Sequence, residues 1–255
     1  MLTYNTKAIV SLTSHKTRVK HCGRAIYSAI KNCLTEVHVV LCLYKDDIKY
    51  IQSDVKTLID SEIVELLIVE EDLGPHTKYF YTMKKYKNLP IITIDDDQLY
   101  YPDTIPSLID CYDKNKNYVI CRQYRTIYWR NGKVLPFSQW DINKSNSKEG
   151  VRKNIHPMGV GMILYPPDIL KISDNNLSEI RKYRMADDIY LNALEFRYNV
   201  SIYSLPYTTK KNTLWDEVDH KNKDMTTIAL REDKNRFKLS DYYVKCLSKD
   251  FNNVK

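Results

Sequence analysis

Glycine and proline are scarce in these 255 residues, at six and nine, which excludes collagen-like and linker-dominated architectures. No apolar run approaches the ~20 residues of a membrane-spanning helix; the longest clear one is Val37–Tyr44. The opening residues, MLTYNTKAIVSLTS, lack a basic start followed by an apolar stretch and a small-residue cleavage site, so no signal peptide is expected. The six cysteines (22, 33, 42, 111, 121 and 246) include no Cys-x-x-Cys pair and match no zinc spacing. Several lie in apolar runs, such as Cys42 in VVLCLY, and read as buried free thiols. Two nucleotide-loop signatures are missing as well. There is no Gly-x-x-x-x-Gly-Lys-Ser/Thr and no Gly-x-Gly-x-x-Gly after the first strand, which argues against P-loop ATPases and dinucleotide dehydrogenases. A cytoplasmic protein is expected.

What is present is an ordinary globular composition, 43% hydrophobic and 28% charged. Thirty-nine basic residues against thirty-two acidic ones give +7, and the excess is local. Between Tyr112 and Lys153 ten Lys/Arg face three Asp/Glu, interleaved with Tyr118, Tyr124, Tyr128, Trp129, Phe137 and Trp140. Such a stretch suits a phosphate-bearing substrate or an anionic membrane surface, or it is a solvated hairpin whose aromatics pack inward. No nucleic-acid module accompanies it, so nucleic acid is not an expected partner.

Apolar runs and amphipathic stretches alternate over the first hundred residues. Ala8–Leu12, Val37–Tyr44, Ile63–Val69 and Pro90–Ile94 read as strands, and Val19–Lys31, Asp46–Asp60 and Thr77–Tyr86 as helices. Alternation of this length predicts an α/β fold with a mostly parallel sheet covered on both faces. Further on, Tyr118–Arg130 reads as a long strand, Asn131-Gly132 as a hairpin turn, and Asp141–Lys153 as a polar loop. Gly159–Tyr165 and Val200–Leu205 read as strands and Ala186–Tyr198 as a helix. Residues 207–255 form a polar tail with a helix near its end.

The most informative segment is PIITIDDDQLYYPD, residues 90–103. A buried strand ends in Asp95, Asp96 and Asp97. In an open α/β sheet, ligands bind beyond the carboxyl ends of the strands. Adjacent carboxylates repel unless a cation compensates, and oxygen ligands favour Mg²⁺ or Mn²⁺. Alternation along the turn would set Asp95 and Asp97 on one side and Asp96 on another. Such an ion completes its shell with substrate phosphates, which makes a nucleotide diphosphate the natural guest. A plain acidic turn is the competing reading. A second acidic pair, Asp187-Asp188 in MADDIY, opens a helix, where the helix dipole alone would favour it. Lys78, at the start of another helix, is within reach of a phosphate or is solvated. Gly159 and Gly161 permit a close backbone approach or mark a bulge.

Four stretches in this order, IVSLTSHKTR, DLGPHTK, the DDD triplet, and GVGMILYPP with MADDIY, span roughly residues 8–198. Together they resemble a GT-A fold glycosyltransferase of the family 2 type found in bacterial surface-polysaccharide (lipopolysaccharide or capsule) clusters. The resemblance implies the nucleotide-diphospho-sugar transferase fold, with a nucleotide-binding half over 1–103, an acceptor half over 104–205 and a C-terminal extension over 206–255. It implies Asp97 as metal ligand, Asp95 as nucleotide or metal contact, and Asp96 beside them on the donor. Ser11, Thr13, Arg18 and Lys78 are the expected nucleotide and donor contacts. Asp188 is the expected general base and Asp187 the acceptor contact, Asp standing at 187 where family members carry Glu. A tail histidine often joins the metal, which makes His220 a candidate ligand. After the second strand LYKDD replaces the family's Asp-Asp-Gly-Ser. The implied activity is metal-dependent, inverting transfer of a sugar from a nucleotide diphosphate, a UDP-sugar first, to an oligosaccharide or lipid-linked glycan, with peripheral contact at the inner membrane face. A sugar nucleotidyltransferase and a non-catalytic glycan-binding subunit of the same fold are the alternatives.

Overall fold

The computed structural model describes residues 3–142, 148–206, 215–217 and 235–252. The first half alternates β1 (Ala8–Thr13), α1 (Cys22–Ile30), β2 (Val37–Tyr44), α2 (Ser53–Asp60), β3 (Val64–Val69), α3 (Thr77–Lys85) and β4 (Ile91–Thr93). Next come β5 (Gln98–Tyr100), α4 (Thr104–Lys114), β6 (Val119–Cys121), β7 (Tyr124–Thr126) and the ribbon of β8 (Trp129–Arg130) with β9 (Lys133–Val134). The later elements are β10 (Asp141–Ile142), β11 (Gly150–Arg152), β12 (Ile155–Pro157), β13 (Ile163–Tyr165), α5 (Leu177–Lys182), α6 (Asp187–Arg197) and β14 (Ile202–Ser204). Two helices, Arg236–Cys246 and Ser248–Phe251, close the chain.

Eight strands form one sheet in the order β11-β14-β6-β13-β4-β1-β2-β3. Strands β1 to β4 run parallel, β6 and β14 run parallel to each other, and β13 lies antiparallel between β4 and β6. This is the expected α/β architecture with a mostly parallel sheet. The register Ile163↔Thr93 puts the start of β13 beside the end of β4. The sheet is buried on both faces, which explains the near-continuous apolar strands. On one face Ala8, Val10 and Leu12 meet Ile26, Ala29 and Ile30 of α1; on the other Ile9 packs with Val40, Cys42 and Tyr86. A further core under α6 joins Tyr79, Phe80, Val119, Ile189 and Tyr190. Five cysteines are buried free thiols and Cys246 is half-buried. Among the described residues no helix is long and apolar enough to cross a membrane.

Several expected elements take a different form. Residues 45–60 split into a 3-10 turn, Lys45–Tyr50, and α2. The run 118–130 is not one strand: the chain leaves the main sheet after Cys121 and enters a second sheet, β10-β7-β12. Gly159–Gly161 is a 3-10 turn and not strand, because Met162 at φ 63 interrupts the extended backbone before β13. The hairpin turn at Asn131-Gly132 is present, with φ of 52° and 71°. Two of its aromatic neighbours pack inward, as one of the sequence alternatives has it. Phe137 and Trp140 are buried, and Trp140 lies 5.6 Å from the Phe251 ring. The Trp129 indole N–H donates to the Phe251 carbonyl at 3.0 Å, so the C-terminal helices cover this ribbon.

Candidate active site

Strands β1, β2 and β4 end on one edge of the sheet, and the start of β13 and of α6 face the same edge. Between them opens a cleft of about 650 Å³. The end of β1 and the residues after it contribute Thr13 and Arg18, those after β2 Asp46 and Asp47, and those after β4 Asp95, Asp96 and Asp97; α6 contributes Asp187 and Asp188. The acids of LYKDD therefore do face the cleft.

Lys78, at the start of α3, is the hub. Its side chain is 6% exposed, and its ammonium lies 2.9 Å from Asp95 Oδ1 and 2.8 Å from Asp187 Oδ2. Burial disfavours the Lys78 charge, but Asp187 and Asp95 hold its pKa well above the ordinary lysine value. It is an ionised, paired lysine and not a solvated one. Burial likewise opposes ionisation of Asp187, yet Lys78 beside it keeps that carboxyl below the usual range. Asp95 goes the other way: burial outweighs Lys78 and pushes it up. Its backbone N–H donates to the Tyr100 hydroxyl at 2.8 Å, which fixes the turn after β4.

Arg18 organises the rest of the triplet. Its guanidinium forks onto both oxygens of Asp96, and Nη2 also lies 3.0 Å from Asp97 Oδ2. Ser14 donates a third bond to Asp96 Oδ2 at 2.5 Å. Asp96 is thus 6% exposed and satisfied by protein groups, which makes it the anchor of the turn where it borders the cleft. The triplet keeps the expected alternation of exposure, with Asp95 and Asp97 open to the cleft and Asp96 buried, while Lys78 pairs with Asp95 and Arg18 with both Asp96 and Asp97.

Of two further expected contacts, Ser11 and Thr13, only Thr13 lines the cleft. Ser11 lies outside the cleft: it is fully buried, and its hydroxyl bonds the Lys78 carbonyl and sits 2.6 Å from Thr82 Oγ1. Ser11 therefore seats α3 against β1, since a mid-strand side chain on that face points into the sheet–helix interface. Thr13 reaches the cleft, but its hydroxyl donates to the Cys42 carbonyl at 2.8 Å, leaving the rest of the residue to line the wall. His220 lies outside the described residues.

Asp188 faces Lys78 and Asp187 from the first turn of α6. Its Oδ2 accepts the Gly159 N–H at 2.9 Å. Burial first, and then the Asp187 charge, raise its pKa to about 7. A carboxylate tuned to that value can accept a proton near neutrality. The pair thus divides its labour: Asp187 stays ionised on Lys78, while Asp188 is poised to titrate.

Eight aspartates line the cleft against Lys16, Arg18, Lys49, Lys78 and Arg184, so the site carries an excess of negative charge that a divalent cation would offset. Asp95 and Asp97 keep 29% and 21% of their side chains exposed. Among the described residues no group of three His, Cys, Asp or Glu is placed to hold a metal unaided. Two carboxylates nevertheless suit Mg²⁺ or Mn²⁺ when phosphate oxygens and water complete the shell. The donor set fits a cation that arrives with its nucleotide.

One relationship had no visible sequence signal. Arg184 Nη2 pairs with Asp72 at 2.5 Å and Arg181 with Glu71 at 2.7 Å, clasping the loop after β3 to the turn before α6. His76 Nε2 adds a 2.9 Å bond to the Tyr183 carbonyl, and burial lowers its pKa, so a neutral imidazole bridges the same two segments. Gly74, at φ +63, leaves its α-carbon side open to the Arg184 carbonyl, which an added Cβ would approach to 2.9 Å.

No protein-family model matches the chain, and no curated sequence does. Solved structures do. Residues 1–349 of S. aureus TarS superpose with a TM-score of 0.54 at 16% identity, over 79% of this chain and 58% of that one. The same protein in complex with UDP gives 0.54 at 14% identity, over 79% and 58%. S. aureus TarS in the longer form gives 0.52 at 14% identity, over 82% and 35%. The chain therefore spans less than two thirds of the length of these structures. At such identities the likeness establishes the fold, and it agrees with the nucleotide-diphospho-sugar transferase fold expected from the sequence.

Proposed function

We propose that this chain is a metal-dependent glycosyltransferase that moves a sugar from a nucleotide diphosphate, a UDP-sugar first, to a glycan acceptor with inversion, in cell-surface polysaccharide synthesis. The observation that carries the reading is the cleft itself: Asp95 and Asp97 share it with Asp188, whose burial sets it to titrate at about 7. That UDP is bound by TarS, a protein of the same fold, supports uridine as the nucleotide.

Asp95 and Asp97 are the residues that would hold Mn²⁺ or Mg²⁺. The ion would supply Lewis-acid neutralisation of the charge that grows on the leaving diphosphate. Arg18 keeps Asp97 aimed at that position and Lys78 does the same for Asp95. Asp188 removes the proton from the acceptor hydroxyl as its oxygen attacks the anomeric carbon, and the electron pair of the breaking bond leaves with the diphosphate. A base on the face opposite the leaving group gives inversion in a single displacement.

The test is a panel of nucleotide sugars incubated with the protein and Mn²⁺, scoring release of the nucleoside diphosphate. Turnover of UDP-sugars that D188N lacks is the expected result. Absence of both UDP binding and donor turnover across the panel would overturn the reading.

A further inference from the structure

A second, smaller chamber of about 90 Å³ adjoins the large cleft at the acid pair. Met158, Met185, Asp187 and Asp188 line both, so the two aspartates border both spaces. The rest of the wall includes Phe137, His156, Leu239, Ser240 and Tyr243. The last three belong to the helix Arg236–Cys246, well beyond α6 in sequence.

The wall is built and held. The Ser138 N–H and hydroxyl donate to the two oxygens of Asp241, at 2.8 and 2.9 Å, tying this helix to the ribbon after β9. Arg197 of α6 reaches Asp250 at 2.9 Å, fixing the following helix from below. Phe137 is itself locked between the Trp140 and His156 rings, at 5.2 and 5.5 Å. Only Met185, 38% exposed, is loosely placed at the rim.

Size decides what the chamber can take. It is far below the ~300 Å³ at which pockets begin to enclose a whole ligand, so neither a nucleotide nor an entire sugar ring fits. One short arm does. The lining combines apolar and aromatic faces, which suit the C–H surface of a carbohydrate, with the Ser240 hydroxyl and the Asp188 carboxylate, which suit its oxygen.

Resting on the glycosyltransferase reading, we infer that this chamber is the acceptor subsite, that the C-terminal helix Arg236–Cys246 forms its outer wall, and that it receives the exocyclic hydroxymethyl arm of an acceptor hexose. The arm's oxygen lies beside Asp188, gives its proton to that carboxylate and bonds to the donor's anomeric carbon. The carbon–oxygen bond to the diphosphate breaks with its electron pair. The product is a linkage to a primary hydroxyl.

Two sets of probes differ by that arm alone. Methyl glucoside, galactoside and mannoside carry a hydroxymethyl group; methyl xyloside, arabinoside and lyxoside lack it. With the donor turned over in the panel experiment, the hexosides are expected to give glycosylated product, and the pentosides free sugar by hydrolysis. Ser240→Trp fills the chamber from a half-exposed helix position, and should cut hexoside product at least tenfold while calorimetry still detects UDP binding. Ser240→Leu is a milder version, expected to raise the hexoside KM more than it lowers kcat. Equal product from pentosides, product retained by S240W, or donor hydrolysis with no hexoside product overturns the subsite while leaving the glycosyltransferase reading in place. Loss of UDP binding by the wild-type protein overturns both.

Discussion

The Gly159 N–H donates to Asp188 Oδ2 at 2.9 Å, and a Cβ built on Gly159 would stand 2.6 Å from Asp188 Oδ1. Glycine is required at 159 by proximity to this carboxylate and not by its own dihedral angles. Gly159→Ala is therefore expected to push Asp188 aside. A displacement near 1 Å at a reacting group costs about 10²-fold in rate. Kinetics of G159A should show that loss in kcat, with UDP affinity close to wild type in the same preparation.

The pH profile follows from Asp188. As a base it must be ionised, so kcat/KM is expected to rise with pH through about 7 and level off above. The folded carboxyl holds its proton to a higher pH than the ordinary value of 3.8. Its contribution to stability is therefore full below that ordinary value and lost as pH rises through about 7. D188N removes the titration. Urea midpoints measured from pH 5 to 9 should decline less steeply for D188N than for the wild type.

Lys78 is buried and serves two partly buried carboxylates at once. Lys78→Met leaves Asp95 and Asp187 facing each other with no cation between them, and breaking a buried pair in this way costs about 3–5 kcal/mol. Chemical denaturation at pH 7.5 should show a loss of that size. At pH 4, where protonation relieves the repulsion, the gap should narrow. A K78M midpoint equal to wild type at both pH values would contradict the pairing.

Asp97 offers a test of the cation. Calorimetry with UDP is expected to show tighter binding in the presence of Mn²⁺ than in EDTA. Asp97→Asn should remove most of that difference, by at least about tenfold, the loss typical when even an outer partner of a metal ligand is changed. Asp96→Asn is expected to act differently. It breaks the Arg18 and Ser14 contacts and lowers stability without selectively removing the Mn²⁺ dependence.

The sequence made the cleft legible because polar side chains at the ends of apolar strands have few places to go. Asp95, Asp97, Lys78 and the Asp187-Asp188 pair converge for that reason. The alternation of the triplet was legible in the same way, Asp95 and Asp97 open to the cleft and Asp96 turned inward, but the sharing of one Arg18 by Asp96 and Asp97 was not, since it depends on a guanidinium with several donors. Ser11 misled because a hydroxyl two residues before the strand end resembles one at the rim. The aromatic ribbon was legible only as two alternatives, packed inward or offered outward. What buries Phe137 and Trp140 is a helix a hundred residues later, and no local pattern announces so distant a cover. The arginine clasp on Asp72 was hidden likewise, since both partners sit in loops that read as solvated.

The antiparallel insertion of β13 between β4 and β6 makes the two halves of the chain interdependent. A fragment stopping at residue 103 would keep four parallel strands but present the whole hydrogen-bonding edge of β4 to water, an invitation to pair with foreign strands. Gene fusions that swap one half for a cousin's must therefore carry β13 across the junction. Recombination within this architecture is safest at exposed surface loops, and hazardous at its middle.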